Sequence, residues 1–385
     1  MMARLGLLLL LLVGCRPAVA PTPATPLRVL VYPYIPGCPG AEGHVATEQR
    51  LERELAAEGI AADVDVADPD GLLYGARTGE LITARGYDVV EVDTMLLDGV
   101  MDHIQPLEVD LDAVHPAARA PVSRDGQVWG VPHWLCGFFL YSRDAAVAAA
   151  DTLETLTRAL DALEGPDLVG DASSSWDLPA LYVDAWHDQD RARVGGDSLV
   201  HAPPEPAAVS ALRAFLSGCD AGDGNPCLDG VYDNHAPAAA EAFASGRVNA
   251  LFGYSERLAS LAEPVRIQAL PLGPEPGRMP LFSDAFVVAR GCIDDCLTRA
   301  KAAIDHLVAA ETYAWLLARD ECPIDARPRY LLPAQKAAWS LPALRQDARY
   351  QRLWSLISDG VAFPTRGYRT WRERVNPALR RALAR

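Results

Sequence analysis

The sequence predicts an α/β fold with a mostly parallel sheet and two domains, and three observations carry that reading. Short apolar runs alternate with Ala-, Leu- and Glu-rich stretches between residues 27 and 93. Such alternation builds βαβ units. Half of the residues are hydrophobic, which gives a large core and excludes a disordered chain. The chain is 385 residues long, a length that one domain rarely fills.

Leu27-Arg-Val-Leu-Val-Tyr-Pro-Tyr-Ile35 reads as the first buried strand, and Pro33 should end its regular pairing. Residues 46–58 read as a helix, Ala62–Val66 as a short strand, and Asp88-Val-Val-Glu-Val-Asp93 as a third strand ending in Asp93. In open sheets of this kind ligands bind at the C-terminal strand ends, which places Tyr34 and Asp93 where a site belongs. Gln127-Val-Trp-Gly-Val-Pro132 is a strand-like entry into His133-Trp-Leu-Cys136-Gly137, and Phe138–Tyr141 is a buried strand. Helices are expected over 144–163, 206–217 and 236–246. Arg247–Phe252 reads as a strand leading into Gly253-Tyr254-Ser255-Glu256, and Phe282-Ser283-Asp284 precedes the apolar run Ala285–Ala289.

The N-terminus carries the marks of export. A positive start, Met1–Arg4, precedes the apolar run Leu5–Val13, too short to span a bilayer but suited to a secretory signal. Leu12-Val13-Gly14-Cys15 matches a lipobox, which implies cleavage after residue 14 and lipidation of the Cys15 thiol. An ordinary signal peptide with an incidental Cys15 is the alternative. Residues 15–26 read as a lipidated, Pro-rich tether. The formal charge of −16 disfavours nucleic acid as a partner and suits a cationic small molecule.

Beyond Cys15 there are seven cysteines, an odd number, so at least one thiol stays free if pairing is intramolecular. Cys219 and Cys227 flank an Asp/Gly/Asn/Pro loop and form a plausible local pair. Cys38, Cys292, Cys296 and Cys322 could supply two more bridges of unread connectivity, which leaves Cys136 as a candidate for the free thiol. Zinc at Cys292-x-x-x-Cys296 is a weaker reading, because no second close Cys/His pair accompanies it. No metal or organic cofactor is implied. Walker A, GxSxG and Rossmann glycine patterns are absent from the sequence.

Six segments in order resemble thiaminase I (thiamine pyridinylase). They are Val-Tyr-Pro-Tyr-Ile-Pro (31–36), Asp-Val-Val-Glu-Val-Asp-Thr (88–94), Val-Trp-Gly-Val-Pro-His-Trp-Leu-Cys (128–136), Gly-Tyr-Ser-Glu (253–256), Pro-Leu-Phe-Ser-Asp (280–284) and Tyr-Leu-Leu-Pro-Ala (330–334). The resemblance runs from about residue 27 to about 370. It implies a two-lobed type II periplasmic-binding fold with a hinge and an interlobe cleft. Crossings placed near 135, 283 and 329 give lobe 1 as 27–135 with 283–328, and lobe 2 as 136–282 with 329–385.

The resemblance also implies chemistry. The family's nucleophile falls on Cys136, which adds to the pyrimidine of thiamine so that the thiazole leaves and an amine, pyridine or thiol replaces it. The family's base falls on Glu256. A thiol near its ordinary pKa is mostly protonated at neutral pH and needs such a base. Asp93 and Asp284 match acidic residues of the family's cleft, where they would hold the aminopyrimidine or face the thiazolium. Tyr32, Tyr34, Tyr254 and Phe282 would stack on a flat heterocycle. Each residue has a plainer alternative: an inert buried cysteine, a loop carboxylate paired with Arg257, a helix cap at Asp93, core packing for the rings. Two departures stand out. The segment at Phe282-Ser283-Asp284 is one aromatic residue shorter than the family's, and His133 stands where an amide is common. A monomer is expected, anchored to a membrane by its lipid on the periplasmic or cell-surface side. A lipid-anchored solute-binding protein of an ABC-type transporter, carrying thiamine, a pyrimidine or another small solute, is the competing function.

Overall fold

The computed structural model describes residues 25–38, 43–67, 71–74, 77–163, 167–190, 203–222, 224–232, 238–261, 264–276, 278–322 and 327–384. The expected signal peptide, the lipidation site Cys15 and nearly all of the tether lie outside these residues.

Three strands open the fold: β1 (Leu27–Leu30), β2 (Ala62–Asp65) and β3 (Val89–Asp93). They run parallel, with β1 in the middle. The helix Val45–Ala57 covers them by burying Leu51 and Leu55 from its apolar face. After the short strands β4 (Ile104–Gln105), β5 (Ser123–Arg124) and β6 (Gln127–Val128), β7 (Val131–Cys136) joins the same sheet. The chain then builds a second, four-stranded sheet from β8 (Phe139–Ser142), β9 (Leu168–Val169), β10 (Ala250–Gly253) and β11 (Arg266–Ala269), in the order β11-β8-β10-β9.

β12 (Pro280–Ala289) returns to the first sheet and inserts between β3 and β7. All ten of its residues are buried. β13 (Leu332–Pro333) extends the edge at β7, and β14 (Val361–Ala362) pairs with the start of β12.

The mostly parallel sheet expected from sequence is therefore mixed. β12 is antiparallel to both β3 and β7. The reason is topological: the chain re-enters from the second sheet beside the C-terminal end of β3 and can only run back along it.

Other differences have local causes. The helix expected over 144–163 is two helices, Ala145–Ala148 and Leu153–Asp161. Each has its own N-cap: Asp144 accepts from the Ala146 and Val147 amides, and Thr152 forms a capping box with Thr155. The first strand stops at Leu30, short of Pro33, and β10 begins at Ala250, three residues later than read.

The helix Asp177–Asp188 is buried along its whole length. It packs against the helices Pro206–Leu216 and Tyr368–Leu383, which fixes the position of its first turn. Disulfides join Cys38 to Cys322, Cys219 to Cys227 and Cys292 to Cys296, and Cys136 is the free cysteine among the described residues. The zinc reading of Cys292 and Cys296 gives way to that covalent bond.

Candidate active site

A cavity of about 300 Å³ lies where the two sheets face each other. Tyr32 and Tyr34 follow β1, Asp93 ends β3, Cys136 ends β7 and Phe282 lies in β12. Tyr254 and Glu256 follow β10, and all seven residues line the cavity. Strand ends supply the first group because their backbone amides are already committed to the sheet while their side chains point clear of it.

Register does most of the assembly. Phe282 pairs with Cys136 across β12 and β7, and Asp284 pairs with Asp93 across β12 and β3. Residues two apart on a strand share a face, so Phe282 and Asp284 look the same way as their partners. The eight residues singled out from sequence for catalysis or binding thus converge. Seven line the cavity, and Asp284, with 2 % exposure, sits just behind the lining against Cys136.

The Cys136 thiol donates to Asp284 Oδ2 at 3.6 Å. Burial, then the charges of Asp284, Glu256 and Asp93, push this thiol well above its ordinary pKa. Burial likewise raises the Glu256 carboxyl. Asp284 is raised well above the carboxylate range by burial first, then by Asp93 and Glu91. Asp93 is raised to about 7 by burial, against the opposing pull of the Met95 amide and Arg372. Asp93 also caps the turn Thr94–Gly99 by accepting from the Met95 amide at 2.8 Å, so its capping role and its place on the cavity wall coexist.

The aromatic wall is longer than the sequence indicated. Ring centroids of Tyr32 and Tyr34 lie 5.6 Å apart, Tyr34 and Tyr74 5.3 Å, and Tyr74 and Trp176 5.3 Å. Opposite them, Tyr254 stacks on Phe138 at 4.7 Å and meets Phe282 edge-on at 5.9 Å. The Tyr254 hydroxyl donates to Asp177 Oδ1, and Ser174 donates to Asp177 Oδ2 at 2.6 Å. Burial, then the charge of Asp171, raises Asp177 to about 7.

Sequence reading missed Tyr74, Trp176, Asp171, Ser174 and Asp177. They stand in turns or at a helix start, where neither strand nor helix period marks a residue. One local signal exists in the Asp171-Ala-Ser-Ser-Ser-Trp-Asp177 cluster that follows Gly170. A Cβ on Gly170 would come within 2.6 Å of Phe252, so only glycine lets β9 deliver Asp171 to the cavity. His133 does not reach Cys136. Its Nδ1 bonds Glu91 Oε1 at 2.8 Å, with both residues buried.

A two-sheet α/β body with an aromatic, acidic cavity between the sheets is the architecture of solute-binding proteins. The family model described as bacterial extracellular solute-binding protein matches residues 55–340, and the chain belongs to that family. Its fold is the two-lobed type II periplasmic-binding fold.

Within that class the chain is similar to Thiaminase-1 of Paenibacillus thiaminolyticus, with 26% identity over 383 residues, 93% of this chain and 88% of the relative. The solved thiaminase I from Bacillus thiaminolyticus matches with a TM-score of 0.72 at 22% identity, covering 93% of this chain and 100% of that one. Maltose-bound MalE3 of T. maritima matches with a TM-score of 0.65 at 15% identity, covering 94% and 98%.

Proposed function

We propose that the protein is a thiamine-degrading transferase of the thiaminase I type, which exchanges the thiazole of thiamine for another nucleophile through a cysteine-linked pyrimidine. The observation that carries this reading is Cys136, the one free cysteine among the described residues, facing a cavity of acids and rings. A protein that only bound its ligand would have no use for a thiol beside two carboxyls.

In the proposed reaction Glu256 takes the Cys136 thiol proton and the thiolate forms a bond to a pyrimidine ring carbon. The bond between the methylene carbon and the thiazolium nitrogen breaks, and its electron pair leaves with neutral thiazole. Glu256 passes the thiol proton to solvent, the second nucleophile bonds to the methylene carbon, and an amine or thiol then gives its proton to Glu256, while pyridine has none to give. The carbon–sulfur bond then breaks and returns the thiolate. Asp93 on the cavity wall, with Asp284 behind it, holds the aminopyrimidine through hydrogen bonds, and Tyr32, Tyr34, Tyr254 and Phe282 sandwich the heterocycles. The chemistry calls for no metal or cofactor. Net negative charge in and around the cavity favours a cationic thiazolium.

Lobe 1 comprises 27–135 with 283–328 and lobe 2 comprises 136–282 with 329–385 in this reading. The protein is exported, as its family's description supports, and held at a membrane through lipid on Cys15. Metabolic labelling with palmitate that persists in Cys15→Ala would end the anchor proposal.

The purified protein, incubated with thiamine and pyridine or aniline, should release free thiazole and a pyrimidine adduct detectable by mass spectrometry. Cys136→Ser run beside it should give neither. Intact thiamine in both samples, with folding confirmed, would favour the second reading, a solute-binding protein for a transporter. The family match supports that alternative. Calorimetry would then show tight binding of intact thiamine or of a related pyrimidine.

A further inference from the structure

We propose that the Cys219–Cys227 disulfide is a positioning element of the candidate active site. It holds the segment 170–177 in place as one wall of the cavity, so ligand affinity depends on it as well as stability.

The segment needs an outside support. Asp171, Ser174, Trp176 and Asp177 line the cavity. They follow β9, which has two residues and stands at the edge of the second sheet, paired with β10. Residues 170–176 belong to no strand or helix. Several of their amides turn inward. Those of Ser173 and Ser174 donate to Asp171 Oδ1 at 2.7 and 3.3 Å, and those of Trp176 and Asp177 donate to Ser174 Oγ at 3.1 and 2.7 Å. Such bonds fix the shape of the turn but not its place in the molecule.

The disulfide fixes the place. The Ala172 amide leaves the segment and donates to the Cys227 carbonyl at 2.9 Å. Just before β9, the Asp167 amide donates to the Gly218 carbonyl at 3.3 Å. Cys219 thus stands beside the entry to β9 and Cys227 beside its exit, and the bond between their sulfurs joins the two supports. Packing is close at both. A Cβ on Gly218 would lie 3.2 Å from Leu168 Cβ, and the Cys227 sulfur lies 4.0 Å from the Leu168 carbonyl oxygen. Cys219 and Cys227 are 2 % and 0 % exposed, so the bridge lies inside the fold. Its Cys219 end is itself anchored, because the helix Pro206–Leu216 leads into it and packs on the helix that Asp177 opens.

The loop's other closures run from Asn225 Nδ2 to the Leu216 carbonyl at 2.7 Å and to Asp220 Oδ1 at 2.9 Å. These are hydrogen bonds that water can replace. Without the bridge the Ala172 amide would be held by a loop that can swing, and the segment would open locally more often than the strands beside it. A wall already in place spares the ligand the cost of ordering it. The proposal takes from the proposed function that this cavity is the ligand site and that thiamine is the ligand. Cys219 and Cys227 act through the segment and touch no substrate.

The test compares two disulfide removals in the full chain. Cys219→Ser with Cys227→Ser removes the bridge beside the cavity. Cys292→Ser with Cys296→Ser removes one beyond the far end of β12 from Phe282. Either loss can lower global stability, so local readouts decide. Hydrogen exchange followed by mass spectrometry reads the wall in ligand-free protein. Calorimetry with thiamine reads affinity, in a Cys136→Ser background that leaves thiamine intact. The first pair should speed exchange over 170–177 by about tenfold or more and weaken thiamine binding by about tenfold or more, while the second pair changes neither by more than about twofold. Unchanged exchange over 170–177 in the first pair would overturn the proposal. So would faster exchange with unchanged affinity, or equal effects from both pairs. If the serine pair does not fold, Cys219→Ala with Cys227→Ala takes its place, free of buried hydroxyls. If that also fails, wild-type exchange decides: an Ala172 amide as slow as those of β10 supports the positioning, and one as fast as an exposed loop overturns it. A wild type that binds no thiamine would sink the ligand reading, and the exchange result would then uphold or overturn the positioning by itself. The serine pair also mimics the reduced chain, so weakened binding would mean that the site matures where thiols are oxidised.

Discussion

At the scale of single residues, the site works by placing ionisable groups where water is scarce. Under the proposed reaction, Cys136→Ser should lower thiazole release by roughly 10³-fold or more, because it would remove the nucleophile of the covalent route. Glu256 must be ionised to accept a proton, and burial raises its carboxyl. Activity should therefore fall on acidification at a pH above the ordinary carboxylate range, and that limb should disappear with the residual activity of Glu256→Gln. A rate profile flat from neutral down to the ordinary carboxylate pKa would remove Glu256 from the role of base. These residues were legible in the sequence because they sit in short segments with a recognisable neighbourhood. Asp284 was legible as an acid near the site, but its contact with the thiol was not, since a strand partner is set by register and not by adjacency. Tyr74 and Trp176 were illegible for a related reason: a ring in a turn looks the same whether it faces solvent, core or ligand.

Individual elements show why the acidic helix start matters. Asp177 opens a helix that is buried throughout and reaches the Tyr254 hydroxyl. Its carboxyl is raised to about 7, mainly by burial. A group whose folded-state pKa is raised stabilises the fold fully below its unfolded pKa, near 4, and loses that contribution as pH rises through the folded value. Thermal midpoints should accordingly fall as pH goes from about 4 to about 7, and Asp177→Asn should flatten the decline. A decline of equal slope in the variant would locate the effect elsewhere. At the second cap, Thr152→Ala should cost about 1 kcal/mol in denaturant unfolding, the usual worth of such a cap. The sequence already held that cap, yet the stretch 144–163 read as one helix because its apolar spacing continues through the break. β12 illustrates the converse limit. Its apolar run was plain, but its direction followed from the path of the chain through the second sheet.

For the whole molecule, the two-lobed α/β fold class and the alternation of strands and helices held, while the mostly parallel sheet did not. The Cys38–Cys322 bridge spans 284 residues of sequence, and its removal by Cys38→Ser with Cys322→Ser should cost about 2–5 kcal/mol of stability. An unchanged unfolding midpoint would show that the bridge constrains nothing the core does not already hold. Beside it, fully buried Arg329 bonds the Pro36 carbonyl and pairs with Glu321, so the segment bearing Tyr32 and Tyr34 is tied down from two directions. That arrangement has a temporal side. Tyr32 and Tyr34 are made early in synthesis, but Glu321, Cys322 and Arg329, the half of the lock that holds them, come nearly 300 residues later. The cavity wall is thus secured only when an early segment and a much later one have met, and a half-made chain, however well its first three strands have paired, still lacks a finished wall.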